Sequence, residues 1–187
     1  MRSTAMRKLH TDTPNCVLFS SGSAVNRPIR HTLLSMLSSP FPLYLVFQYA
    51  DFEWGTDSEQ LFKQSSLKFD EKDLGQGDES STKTYESKEK FSLENAESNM
   101  DLEFSDGQLS QVSFTFDIEQ DANTWIQKEV DELNSLYGGG IATGLGNQIY
   151  QWQGEQDTVL QLTAFTEGDE SATVILSVAS MEYSIGS

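Results

Sequence analysis

The stretch from Met100 to Phe116 constrains the fold more than any other. Met100, Leu102 and Phe104 alternate with Asp101 and Glu103, and Val112, Phe114 and Phe116 alternate with Ser113 and Thr115. A period of two marks strands with one dry and one wet face, and Ser105-Asp106-Gly107 between them supplies turn residues, so the stretch reads as a β-hairpin. The six apolar positions all carry even numbers, so residues opposed across the hairpin must sum to an even number. A two-residue Asp106-Gly107 turn would set Leu102 against Gln111 and turn one dry face outward. The parity therefore predicts a three-residue loop, Ser105 to Gly107, with Gly107 left-handed in a G1 bulge.

Around this hairpin the chain divides by charge. Residues 1–50 hold Arg2, Arg7, Lys8, Arg27 and Arg30 against Asp12 alone, whereas the rest carries seven lysines against 28 acids. All four prolines, both histidines (His10, His31) and Cys16 also fall in the first fifty residues. Two compositions this different predict a basic leader over 1–50 and an acidic domain over 51–187. Residues 1–31 lack periodicity and read as disordered or as a targeting segment. Thr32 to Ala50 is apolar but broken by Pro40 and Pro42, which disfavours a membrane span. It is read either as a signal sequence or as an extended segment, Leu43 to Tyr49, packed as an extra edge strand. The acidic part contains no arginine, which disfavours nucleic acid, and its charge disfavours anionic membranes.

Within residues 51–187, Thr56 and Glu59 form a capping-box pattern that predicts a helix from Asp57 to about Ser65, burying Leu61 and Phe62, with Trp54 just before it. Leu67 and Phe69 suggest a brief strand, and 70–83, acidic and rich in Gly and Ser, reads as a surface loop. Tyr85, Phe91 and Leu93 share one parity and predict an edge strand. After the hairpin, Ala122, Trp125, Ile126, Val130, Leu133, Leu136 and Tyr137 recur at steps of three and four, predicting a helix with Asp121 as N-cap and Gly138 as its stop. Three strands follow, with dry faces at Tyr150 and Trp152, at Leu160, Leu162 and Ala164, and at Val174, Leu176 and Val178. The predicted fold is α+β: an antiparallel sheet of about six strands with two helices on one face, in the order α-β-β-β-α-β-β-β, as if one unit were duplicated.

The motifs Trp54-Gly55-Thr56-Asp57-Ser58-Glu59-Gln60, Phe104-Ser105-Asp106-Gly107-Gln108-Leu109, Leu133 to Gly138 and Tyr150-Gln151-Trp152 resemble those of a loosely defined group of small bacterial envelope domains. That group is similar in architecture to β-lactamase inhibitor proteins and outer-membrane assembly lipoproteins. The resemblance implies helices packed on one face of an antiparallel sheet, no assigned activity, and an extracytoplasmic rather than cytoplasmic setting. Cys16 has no apolar run before it, so a lipid anchor is not implied.

Residues 51–187 contain neither histidine nor cysteine, which removes Ser-His and Cys-His nucleophiles and the usual zinc sets. Asp101 and Glu103 share a wet face, the arrangement a carboxylate-only hydrolase requires, although solvated acids are the plainer account. Asp70, Glu71 and Asp73 with Gly75, Gly77, Asp78 and Glu79 miss the EF-hand spacing, because Lys72 stands at a ligand position. Gly138-Gly139-Gly140 with Gly144 and Gly146 follows a helix instead of opening one, so it reads as a stop and connector, not a phosphate cradle. No metal or cofactor is expected.

The wet face carries the functional expectation. On the hairpin it presents Asp101, Glu103, Gln111, Ser113 and Thr115; on the last three strands it presents Gln151, Gln161, Thr163 and Ile175, with Ile149, Val159 and Phe165 as further apolar positions. Apolar residues on a nominally wet face need a cover, which a protein partner or a second copy supplies. The function expected is a non-enzymatic protein-interaction module of the bacterial envelope. The alternatives are a carboxylate-only hydrolase or carbohydrate-active protein, and a small-molecule carrier with a pocket lined by Trp125, Trp152 and Phe114.

Overall fold

The computed structural model describes residues 27–28, 47, 49–73, 81–143, 148–168 and 170–184. Its elements are β1 (Arg27–Pro28), α1 (Ser58–Gln64), β2 (Phe69–Lys72), β3 (Thr82–Leu93), β4 (Ala96–Ser105), β5 (Gln108–Ile118), α2 (Ala122–Tyr137), β6 (Ile141–Thr143), β7 (Gln148–Gln153), β8 (Thr158–Glu167), β9 (Ser171–Ser180) and α3 (Met181–Ser184). The strands form one open sheet, antiparallel except at β1. Two strands share one edge of β3: β2 pairs along Thr84 to Ser87, and β1 lies parallel to Phe91 and Ser92.

The sheet runs β2-β3-β4-β5-β9-β8-β7-β6, an order that reads alike from either edge. The last strands of the two halves, β5 and β9, pair at its centre through eight opposed residue pairs from Gln111↔Ala179 to Ile118↔Ala172. The expected duplication is thus a helix followed by four strands, not three. The sheet is correspondingly wider than the expected six strands, and a third helix, α3, departs from the expected helix order. The extra strands are short and edge-bound. In β2, charged residues replace apolar alternation, and the strand is held by cross-strand ion pairs of Glu71 with Lys83 (3.3 Å) and Asp70 with Lys88 (2.8 Å). The residues of β6 are all exposed, so no dry face marks it in the sequence.

The hairpin keeps its predicted parity by a different device, with the pairing shifted two residues from that of the expected three-residue loop, so that Leu102 opposes Val112 and not Ser110. Asp106 and Gly107 form a two-residue turn, both with positive φ (49° and 80°), the geometry of the type I′ turn that matches strand twist. Ser105 pairs with Gln108 and Phe104 with Leu109, but Glu103 then pairs with Gln111 and Leu102 with Val112. Ser110 is the extra residue: a β-bulge inside β5 absorbs the odd step that the expected three-residue loop would have supplied. Its hydroxyl donates to the Glu103 carbonyl at 3.1 Å, and the residue is fully buried. A larger irregularity interrupts β3 between Glu86 and Lys90. There the Ser87 hydroxyl accepts from the Met100 amide at 2.8 Å, replacing a lost ladder bond.

The dry faces are as expected. Met100, Leu102, Phe104, Val112, Phe114, Phe116, Leu160, Leu162, Ala164, Val174, Leu176 and Val178 are each at most 3 % exposed. Burial of such side chains contributes about 1.5–3 kcal/mol each, so this face is the fold's main source of stability. Helix α2 lays Ile126, Val130 and Leu133 on it, and α1 adds Leu61 and the Phe62 ring, which packs with Phe69, Tyr85 and Phe104.

Helix starts differ from expectation by one residue or by mechanism. Asp57, not Thr56, caps α1, accepting from the Gln60 amide at 2.9 Å. Thr56 is instead drawn into the sheet, its carbonyl accepting from the Leu109 amide at 2.9 Å. Asp121 is left-handed and makes no side-chain cap bond; the Ala122 amide donates to the Glu170 carbonyl. At the far end Gly138, with φ 84°, stops α2 where a side chain would be strained.

Phe47 and Tyr49 precede the expected domain boundary yet belong to the core, at 0 % and 3 % exposed. Phe47 meets Tyr137 edge-on, and Tyr49 packs with Phe52, Phe91 and Phe114. The other residues expected to form a leader or an extra strand, apart from Arg27, Pro28 and Ala50, lie outside the described residues. No helix among the described residues is long and apolar enough to cross a membrane.

Candidate functional site

Opposite the core, alternation brings the predicted partner-facing residues onto one side of the sheet. One transverse row joins both halves: Gln151 opposes Gln161, Gln161 opposes Ser177, Ser177 opposes Ser113, and Ser113 opposes Asp101. A second row joins Ile149, Thr163, Ile175 and Thr115, and a third includes Glu103 and Gln111. Ser177 was missed from the expected set because one small hydroxyl on a strand gives no signal in sequence.

The two halves of this face differ in chemistry. On the β2–β5 side it is charged. The Lys72 ammonium lies 3.0 Å from Glu86 and donates to both oxygens of Asp101, at 3.0 and 2.9 Å. Partial burial opposes the charge on Lys72, but its bonds to Asp101 and Glu86 prevail and hold the ammonium above the ordinary lysine value. Lys72 was expected in a loop; its place in the cluster follows from β2. Glu103 is half-buried, and burial alone pushes its carboxyl above the ordinary glutamate range.

On the β6–β9 side the strands contain a single charged residue, Glu167, at the very end of β8. Their outward positions are amides, hydroxyls and branched apolar groups. The Gln151 amide donates to the Gln161 carbonyl oxygen at 2.6 Å, and the Gln161 amide donates to the Thr163 hydroxyl at 2.8 Å. Thr163 and Ser177 sit buried, Ile149, Val159 and Ile175 are half-buried, and Phe165 and Ile141 are 42 % and 66 % exposed.

The other expected chemistry is arranged differently. Asp70 and Glu71 lie on β2 in ion pairs with lysines, and Gly75, Gly77, Asp78 and Glu79 lie outside the described residues, as do Gly144 and Gly146. Of the three residues expected to line a carrier pocket, Phe114 and Trp152 are 1 % and 3 % exposed within the core. The Trp152 indole N–H donates to the Asn134 side-chain oxygen (3.0 Å) and the Gly138 carbonyl (3.1 Å), which ties β7 to the end of α2. Trp125 does border a groove of about 520 Å³ at the start of α2, together with Glu94, Asp117, Glu119, Asp121 and Lys128. Its indole N–H is buried and makes no hydrogen bond.

No protein-family model, no curated protein and no solved structure matches this chain.

Proposed function

We propose that this chain is a non-enzymatic protein-interaction module of the bacterial envelope, working through the outward face of its sheet and set outside the cytoplasm, as the resemblance in its motifs implies. The observation that carries the binding part is the uncharged surface on β6–β9. In a chain of net charge −17, a face that spans four strands with Glu167 as its one charge has been spared the residues that keep the rest of the surface solvated. Interface cores are depleted of charge in this way.

Two features weigh against the carboxylate-only hydrolase. Both oxygens of Asp101 are engaged by Lys72, and Glu103 points from the same strand onto a broad sheet surface. The test of the binding reading replaces Gln153, exposed on this face, with a photo-crosslinking phenylalanine, with Asp131 on α2 as the control position. Irradiation in the cells that make the protein is expected to give adducts of defined mass at 153 and none at 131. Equal labelling at both positions, or none at either, defeats the proposal.

A second reading, the small-molecule carrier, is favoured by the groove beside Trp125 and its unbonded indole N–H. Non-denaturing mass spectrometry of the protein purified from its source tests it. A discrete bound mass that is lost in Trp125→Phe supports the carrier, and a bare chain mass eliminates it.

A further inference from the structure

We infer that the occupant of the β6–β9 face is a second copy of this chain, an inference that rests on the binding reading above. Charge makes the argument. Two copies of net charge −17 repel wherever their carboxylates approach, over a range of about 10 Å at ordinary ionic strength. The β6–β9 face is where two copies meet without setting acid against acid. A basic partner, by contrast, gains nothing there and is drawn to Asp101, Glu103 and Glu86 on the other half.

The face is also prepared for burial. Gln151, Gln161 and Thr163 already satisfy one another across β7 and β8, so covering them strands fewer polar groups than covering free amides would. Ile175, Val159 and Phe165 provide the apolar area. The residues of the adjoining edge strand β6 are all exposed and include neither lysine nor proline to deter pairing. A two-fold contact brings the same patch from each copy together.

Sedimentation equilibrium of the full chain tests this at about 20 mM and about 500 mM salt, concentrations at which repulsion is respectively long-ranged and screened. The expected result is a mass of two chains, with association about tenfold tighter at the higher salt as repulsion between like-charged copies is screened. Gln161→Glu and Gln153→Glu, which place carboxylates on the face without touching the core, are expected to return the protein to one chain while far-ultraviolet circular dichroism stays unchanged. A single-chain mass at both salt concentrations overturns the inference, as does a dimer that loosens with salt or survives both variants. A single-chain mass together with crosslinks to another protein at position 153 removes the second copy and leaves the binding reading standing. A single-chain mass without crosslinks removes both.

Discussion

The Lys72 ammonium holds both oxygens of the Asp101 carboxylate, at 3.0 and 2.9 Å, reaching over the strand that separates them. Because Glu86 lies 3.0 Å from the same ammonium, one cation bridges two acids on adjacent strands. Removing it in Lys72→Met leaves Asp101 and Glu86 directly opposed, and like charges across a ladder destabilise it. The expected loss is about 1 kcal/mol at neutral pH and low salt, discounted because the lysine is partly solvated. A lysine whose folded value is raised stabilises fully below its unfolded value of about 10.5, and the benefit disappears as pH rises through the folded value. Urea unfolding of the two proteins at neutral pH and again well above pH 10.5 checks this. A gap that persists at alkaline pH refutes the electrostatic account.

Gly107 and Ser110 test the turn and the bulge of the central hairpin separately. Gly107 has φ 80°, and nothing lies within 4 Å of where a Cβ would stand. Gly107→Ala therefore tests backbone strain alone, with an expected cost of about 1 kcal/mol. Deleting Ser110 removes only the bulged residue: Phe104 still opposes Leu109, Glu103 opposes Gln111 and Leu102 opposes Val112, so the dry faces stay in register as a regular ladder. That variant is expected to keep cooperative thermal unfolding, and Ser110→Ala to lose only the bond to the Glu103 carbonyl, about 1 kcal/mol. A deletion variant that no longer unfolds cooperatively would show that the bulge itself is required.

Glu103 should report its burial through pH. Its folded value is raised by burial, so within the window between the unfolded value near 4.5 and that raised value the native state holds more protons than the unfolded one. Stability then falls as pH rises through that window, and the ionised form remains a burden above it. Glu103→Gln removes the charge and is expected to stabilise the protein at pH 7 by about 0.5 kcal/mol. The advantage should shrink to nothing below about pH 4. Chemical denaturation across that range tests it, and a destabilised variant at pH 7 contradicts it.

The Gly140 backbone lies close against the Trp152 ring. A Cβ on Gly140 would lie 2.6 Å from the indole. The same indole donates its N–H to Asn134 and Gly138, so it cannot retreat without breaking those bonds. Gly140→Ala is expected to cost about 1–3 kcal/mol, as overpacking does, and to shift the tryptophan emission. An alanine variant with native stability would show that the ring has room to move.

What the sequence disclosed was whatever alternation and helical spacing encode. The dry faces of β4, β5, β8 and β9 and the stripe of α2 were legible because each repeats a signal over several residues. The bulge at Ser110 was hidden because alternation fixes only whether the offset is odd or even: a three-residue loop, which would oppose Leu102 to Ser110, and a two-residue turn followed by a bulge, which opposes it to Val112, both keep the even-numbered positions on the dry face. The start of β2 at Phe69 was legible, but its continuation to Lys72 was hidden because Lys72, Lys83 and Lys88 hold it by pairing with distant acids, and those partners are invisible until the strands are assembled. The outward face was legible residue by residue, but its division into a charged and an uncharged half emerges only when β9 is placed beside β5.

Phe47 and Tyr49 carry the last prediction, because composition put them with the basic leader while packing puts them in the core. Phe47 binds the domain at three points: its amide donates to the Thr158 hydroxyl at 3.1 Å, its carbonyl accepts from the Trp54 indole at 3.0 Å, and its ring meets Tyr137. A chain cut after Ala50 forfeits these contacts together with the Tyr49 ring against Phe91 and Phe114. Loss of one buried phenylalanine side chain alone costs about 3–5 kcal/mol, a large share of the 5–15 kcal/mol that holds a typical domain together. Residues 51–187 on their own are therefore expected to unfold at far lower denaturant than the full chain, and Phe47→Ala in the full chain to reproduce much of the loss. Equal midpoints for the full chain and residues 51–187 would show that the core closes without them.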